Sequence, residues 1–408
     1  MVTYDPFSDA VMKDPWPFYA ELRRESPVHY LERYDTWFLS RFEDIWTSTT
    51  HDLFSAARGV TPEMVLCKAP PPPVPVFTML DRPRQQAYRK PLVPRYTRRA
   101  VAAARPRVRA RVRELLAPVA ERGHLDVYGD LADPLATQVI AEWIGLPADE
   151  APALRRLVAA FFAREPGQVG TSPSNARARE ELLLRLAAIV QARIDAGPDP
   201  RADDHIQTLL RTRVEGAPLG REAVTAAAFS LLVTGVEVVP LAVANTAFFL
   251  WQHPDQRRAV LDDPALVPHA FAESLRYDQP TNLLGRVVAR EVDLGGQRLR
   301  PGQGVMFLWA SGNRDEREFE GADVFDIGRR PRRTLSFGHG LHKCIGEHLG
   351  RLEGCVLLEE LLAVAPAYEV RSAGVKRSYG EFLHGYDRMP IEFAPRALAT
   401  GGASGEAG

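Results

Sequence analysis

Phe337-Gly338-His339-Gly340-Leu341-His342-Lys343-Cys344-Ile345-Gly346 is the stretch on which the reading of this chain turns. Its glycines describe a tight loop whose backbone comes close to something flat, because only glycine leaves that space and accepts positive φ. The residues that follow, as far as about Val364, carry the helical period. Cys344 therefore sits at the mouth of a helix, where unpaired N–H groups and the helix dipole favour a thiolate. The other cysteines are Cys67 and Cys355. Cys355 lies about 16 Å further along if the intervening stretch is helical, too far to share a ligand shell. An odd cysteine count without C-x-x-C excludes a disulfide scaffold and argues against a cysteine-rich zinc site. A lone thiolate on a glycine-rich loop suits axial ligation of heme iron, with backbone N–H groups tuning the sulfur.

Outward from that loop, the whole chain has 408 residues, 45% of them hydrophobic, with 51 basic and 52 acidic side chains and a formal net charge of −1. This balance speaks against a general nucleic-acid binder and against an acidic disordered chain. The start, Met1 to Pro6, does not read as a signal peptide, and no apolar run reads as a membrane span. The expectation is a soluble cytoplasmic protein. Length alone allows two or three domains or one large fold. Strand-like segments appear at Val28 to Leu31 and Thr36 to Ser40, and again after Leu283. Between them, from Asp81 to about Ile194, helical periods dominate, with Val108, Val112, Leu115, Leu116 and Val119 recurring at three- and four-residue steps. Arg221 to Gln252 reads as a buried central helix with Pro240 in its middle. The fold class expected is mainly α with a minor β lobe, a single domain over residues 1–398, and a disordered small-residue tail over residues 399–408.

The cysteine stretch resembles the cytochrome P-450 family, the heme-thiolate monooxygenases, whose loop pattern F-G-x-G-x-H/R-x-C-x-G is matched at Phe337, Gly338, Gly340, His342, Cys344 and Gly346. Further elements occur in the family's order: Glu273-Ser274-Leu275-Arg276, then Ala310-Ser311-Gly312-Asn313-Arg314-Asp315, then Arg329. The resemblance covers roughly Asp5 to Ala394 and implies the cytochrome P-450 fold, with heme b (iron protoporphyrin IX) ligated by Cys344. It implies a structural triad of Glu273, Arg276 and Arg329 that holds the cysteine loop. It also implies that Arg286, His342 and Arg89 meet the heme propionates. Gln85 stands where the family has a histidine, and its amide can still donate a hydrogen bond.

In the family the central helix carries A/G-G-x-D/E-T, whose acid and threonine help water deliver protons during oxygen activation. Here the aligned residues are Thr234-Gly235-Val236-Glu237-Val238-Val239-Pro240. Gly235 is expected to leave room for oxygen and Glu237 to keep the acid. Val238 replaces the threonine, so the missing hydroxyl falls to substrate, to water at a kink made by Pro240, or to Thr234. By family position Val74, Val76, Phe77, Leu232, Val236, Leu284 and Phe382 are expected to line the substrate pocket. The chain shows no flavin- or ferredoxin-like extension, so electrons are expected from a ferredoxin and ferredoxin reductase docking on a basic face. That face comprises Arg84, Arg89, Lys90, Arg95, Arg98, Arg99 and Lys343. The function implied is monooxygenation of a small, fairly apolar molecule of secondary metabolism by a monomer, without nucleic acid or membrane. The alternatives are oxidative coupling, rearrangement or peroxide-driven oxidation, which Val238 favours, and a catalytically silent heme-binding sensor.

Overall fold

The structure, a computed structural model, describes residues 2–395 except 51, 75 and 198. The expected 399–408 tail lies outside the described residues. Helices form most of the chain: α1 (Arg98–Arg122), α2 (Asp133–Ile144), α3 (Ala151–Phe162), α4 (Pro173–Asp195), α5 (Arg221–Gly235), α6 (Val238–Gln252), α7 (Val267–Tyr277) and α8 (Glu347–Val364) are the principal ones. The periodic residues of α1 behave as their spacing dictates. Val108, Val112, Leu116 and Val119 are buried in the main core, and Leu115 packs partly buried against it.

The β portion sits at one side. Its five-stranded sheet runs Val28–Leu31, Thr36–Leu39, Gly304–Phe307, Leu284–Val288, Phe54–Ser55. Residues near the N-terminus thus pair with the last third of the chain: Gly304 to Phe307 run parallel to Thr36 to Leu39 and antiparallel to Leu284 to Val287. A second small sheet joins Glu369–Val370, Pro390–Glu392 and His124–Asp126, the last drawn from the helical middle.

The central helix departs from the expected single rod. By hydropathy its best window could cross a membrane, contrary to the sequence reading, yet 72% of that window is buried within the protein. It breaks at Val236 and Glu237, leaving Pro240 in the first turn of α6. There its missing N–H costs nothing, because first-turn donors have no intrahelical partner. The kink is a full interruption.

Candidate active site

The cysteine loop is fixed from three directions. Gly338 and Gly340 take φ of +67° and +70°, which L side chains rarely adopt. A Cβ on Gly340 would also run into the Thr49 carbonyl. The Cys344 N–H donates to the Phe337 carbonyl at 2.8 Å, closing the loop on itself. His339 stacks on Trp46 with ring centroids 3.5 Å apart, and Arg351 lies over Phe337 at 4.7 Å. Gly346 caps α8, so Cys344 stands just outside the helix.

Protein surrounds Cys344 on all sides, yet its side chain keeps accessible surface, so it faces an internal cleft. Burial pushes its thiol up, while the Gly346 N–H and Arg89 pull the other way. Desolvation wins in the protein alone, and the thiolate expected from helix position needs a cation at the sulfur.

Beneath the loop the triad residues meet. Arg276 is fully buried and uses all five N–H donors. Nε and Nη2 reach Glu273 at 2.9 and 2.8 Å, Nη1 reaches the Asn313 and Ala322 carbonyls at 2.8 and 2.9 Å, and Nη2 also reaches that of Val324 at 3.2 Å. Arg329 donates to Glu273 at 3.2 Å and to the carbonyls of Glu320, Gly321 and Val324. Asn313 then accepts from the Leu335 N–H at 2.7 Å, linking this network to the residues just before Phe337.

Three basic groups gather beside the loop. Arg286 is buried on the sheet, and among the described residues its guanidinium makes one hydrogen bond, to the Gly285 carbonyl at 2.6 Å. Burial drops it to about 10, with Asp81 opposing. His342 is pushed down to about 3 by burial, with Arg286 and Arg89 adding, so it is neutral; its buried Nδ1 has no partner among the described residues. Arg89 donates to the Lys343 carbonyl at 2.5 Å, next to Cys344. Gln85 is fully buried; its amide N–H is used on the Leu341 carbonyl at 3.2 Å, and its oxygen has no donor among the described residues.

This set fits heme b. A soft sulfur faces the cleft for the iron, while an under-bonded buried guanidinium and an unpartnered imidazole nitrogen lie nearby to meet carboxylates.

On the central helix the expected residues divide between packed and accessible positions. A Cβ on Gly235 would meet Ile140 at 2.5 Å, so its smallness serves the contact between α5 and α2. Leu232 and Val236 are buried in the main core, one turn apart on the packed face. Phe77 belongs to the same core, Val76 is buried, and Leu284 packs against the sheet cluster. Val74 is half-buried. Thr234 is exposed, and Gly235, Val238 and Val239 are partly so. The Thr234 hydroxyl donates to the Ser230 carbonyl at 2.7 Å, so it is left to accept.

Glu237 is held by partners the sequence did not announce. Arg155 on α3 donates to its Oε1 at 2.7 Å, to the Tyr128 hydroxyl at 2.8 Å and to Asp133. Burial nonetheless pulls the Glu237 carboxyl up, with Arg155 opposing. Glu237 also lines a cavity of about 250 Å³ between α3 and the hairpin of residues 376–388, together with Phe162, Leu241 and Phe382. Of the seven pocket residues expected from sequence, only Phe382 lies on it.

The family model "Cytochrome P450" matches residues 161–364, and cytochrome P450 130 of Mycobacterium tuberculosis is 32% identical over 91% of this chain and 93% of its own length. The chain belongs to the cytochrome P450 family. Cyclomarin C epoxidase CymV of Salinispora arenicola is 33% identical, covering 93% of each chain. The solved structure of a mutant of P450 EryK in complex with erythromycin B superimposes with a TM-score of 0.83 at 27% identity, over 96% of this chain and 98% of that one. The cytochrome P450 fold and heme b expected from the sequence are thereby borne out, as is a monooxygenase of bacterial type.

Proposed function

We propose that this P450 oxidises a small, fairly apolar molecule, an intermediate of secondary metabolism, with dioxygen and electrons from a ferredoxin and ferredoxin reductase. The observation that carries the reading is Cys344 on its glycine loop, facing a cleft beside the under-bonded Arg286. Heme b supplies oxygen activation there. In this reading Cys344 holds the iron, Arg286, His342 and Arg89 face the propionates, and the triad of Glu273, Arg276 and Arg329 holds the loop. Gln85, with one amide proton on Leu341, fixes the loop's other edge. Relatives that epoxidise cyclomarin C or bind erythromycin B support a natural-product substrate. The protein acts as a cytoplasmic monomer with residues 1–398 as one unit.

Glu237 holds or releases a proton at its carboxyl, and Arg155 and Tyr128 orient it. Electron donors dock where Lys90, Arg98 and Arg99 are exposed; Arg84, Arg95 and Lys343 of the same face are engaged by Glu215, Asp203 and Glu347. The test of the whole reading is the reduced protein's absorption with carbon monoxide. A strongly red-shifted Soret band supports it, and its absence in freshly folded protein sinks it.

Val238 favours a second reading within the same chemistry, in which the substrate radical couples or rearranges, or peroxide drives the oxidation. Thr234 can accept but has spent its proton on Ser230, so a donor hydroxyl must come from substrate or water. Val238→Thr should leave reducing cofactor spent per product nearly unchanged if substrate already fills that role. A strong gain in coupling shows that it does not.

A further inference from the structure

Arg164 joins three segments that are far apart in sequence. It lies two residues beyond α3, with its side chain 6% exposed. Its Nη2 donates to Glu63, 101 residues away, at 2.5 Å. Its Nε and Nη2 each reach Glu381, 217 residues away, at 3.2 Å. Glu63 sits in the short helix Pro62–Val65 and Glu381 in the loop of the C-terminal hairpin. Beside this cluster Phe382 stacks on Phe162 with centroids 5.8 Å apart and planes at 16°. Arg164, Glu381, Phe162 and Phe382 all line the cavity that reaches Glu237.

One guanidinium serves two carboxylates, and the side chain of Glu381 is fully buried. Burial pulls its carboxyl up, and Arg164 opposes that. Glu63 keeps 19% of its side chain exposed, so its carboxylate can swing to water at small cost. The bond to Glu63 is the one that can open and close. The chain around it is close-packed with little freedom of its own: a Cβ on Gly170 would stand 2.9 Å from the Cys67 sulfur, and one on Gly380 stands 3.3 Å from Arg164 Cγ.

We infer that Arg164 is the pin of a charge latch closing the cavity roof, and that release of Glu63 gates the passage of bulky molecules to the heme. Substrate-sized ligands wait for this release, while small ones do not. The inference rests on the P450 reading and concerns binding rates, not the oxidation itself.

The experiment uses the heme-loaded protein and two iron-ligating probes, imidazole and the bulky clotrimazole, followed by stopped-flow absorbance. In Glu63→Gln the clotrimazole association and dissociation rates should both rise about fivefold, the scale of one weakened, partly exposed ion pair, with the dissociation constant unchanged. Imidazole rates should not move. Arg164→Gln should act in the same direction more strongly, and Glu63→Gln serves alone if that variant does not fold. Unchanged clotrimazole rates in Glu63→Gln overturn the latch, as does an equal rise for both probes, which reports general loosening. The carbon monoxide band recorded on each variant keeps this outcome separate from failure of the heme-thiolate reading.

Discussion

Arg276 and Arg164 are both buried arginines that tie distant segments together, and they are built to opposite ends. The acceptors that Arg276 draws from other segments are main-chain carbonyls, those of Asn313, Ala322 and Val324. Carbonyls neither titrate nor change rotamer, and all five donors are used. Between segments Arg164 is held by side-chain carboxylates, which can rotate, hydrate or take a proton. The first arrangement fixes the cysteine loop in one geometry. In the second, the bond to the partly exposed Glu63 can open while the buried Glu381 stays paired. A buried arginine is therefore rigid or releasable according to what accepts its protons, not according to how deeply it lies.

The largest effect that can break this contrast is at Arg276. Arg276→Ala leaves the buried Glu273 carboxylate to Arg329 and the Asp326 N–H, strips the Asn313 and Ala322 carbonyls of their arginine donor, and should cost about 3–5 kcal/mol with loss of heme content. Arg276→Lys should recover little of it, since one ammonium cannot meet five directions. Urea unfolding that places Arg276→Lys near the parent protein would put the two arginines in the same class.

Next comes Asp278, the residue that links the two regions, capping α7 while holding the hairpin through Arg377 at 2.9 Å and His384 at 3.3 Å. Burial alone would raise its carboxyl; Arg377, His384 and Arg314 overcome that and hold it well below the usual carboxylate range. A depressed folded-state value contributes stability that is complete above about pH 4 and is lost as pH falls through the folded value. Asp278→Asn should lower stability at neutral pH by about 3 kcal/mol and flatten the acid limb of the curve. An unchanged acid limb would show that the hairpin is anchored elsewhere.

The smallest effect belongs to charges in neither class. Arg98→Gln with Arg99→Gln should slow reduction by an acidic ferredoxin about threefold at low salt and leave it unchanged at high salt. A salt-independent loss would mean that these arginines act through structure.

What could be read from the sequence follows the same division. The cysteine loop was legible because its constraints are local: positive φ at Gly338 and Gly340, a thiol, and a helix start within ten residues. The pairing of Glu273 with Arg276 lies within one helical turn. The latch was not legible, because partners 101 and 217 residues apart leave no periodicity. Arg155, one of two adjacent arginines on α3, gave no hint that it holds Glu237. Leu232, Val236 and Phe77 are buried in the core, and sequence alone does not separate core from cavity wall, because an apolar side chain has the same chemistry in both. Gly235 shows the limit most clearly: sequence reports that the residue is small, not which neighbour needs the space.

The reach of Arg276 also dictates when the molecule can be finished. Its carbonyl partners lie 37, 46 and 48 residues further along the chain, so a nascent polypeptide that ends at α7 carries a guanidinium with Glu273 alone to meet it. Burial of that helix end waits until residues beyond Val324 have left the ribosome, and the cysteine follows within twenty more. Assembly of the cradle is thus deferred until the residues around Cys344 have been made, and a chain cut short before them has no means of trapping heme in a half-built pocket.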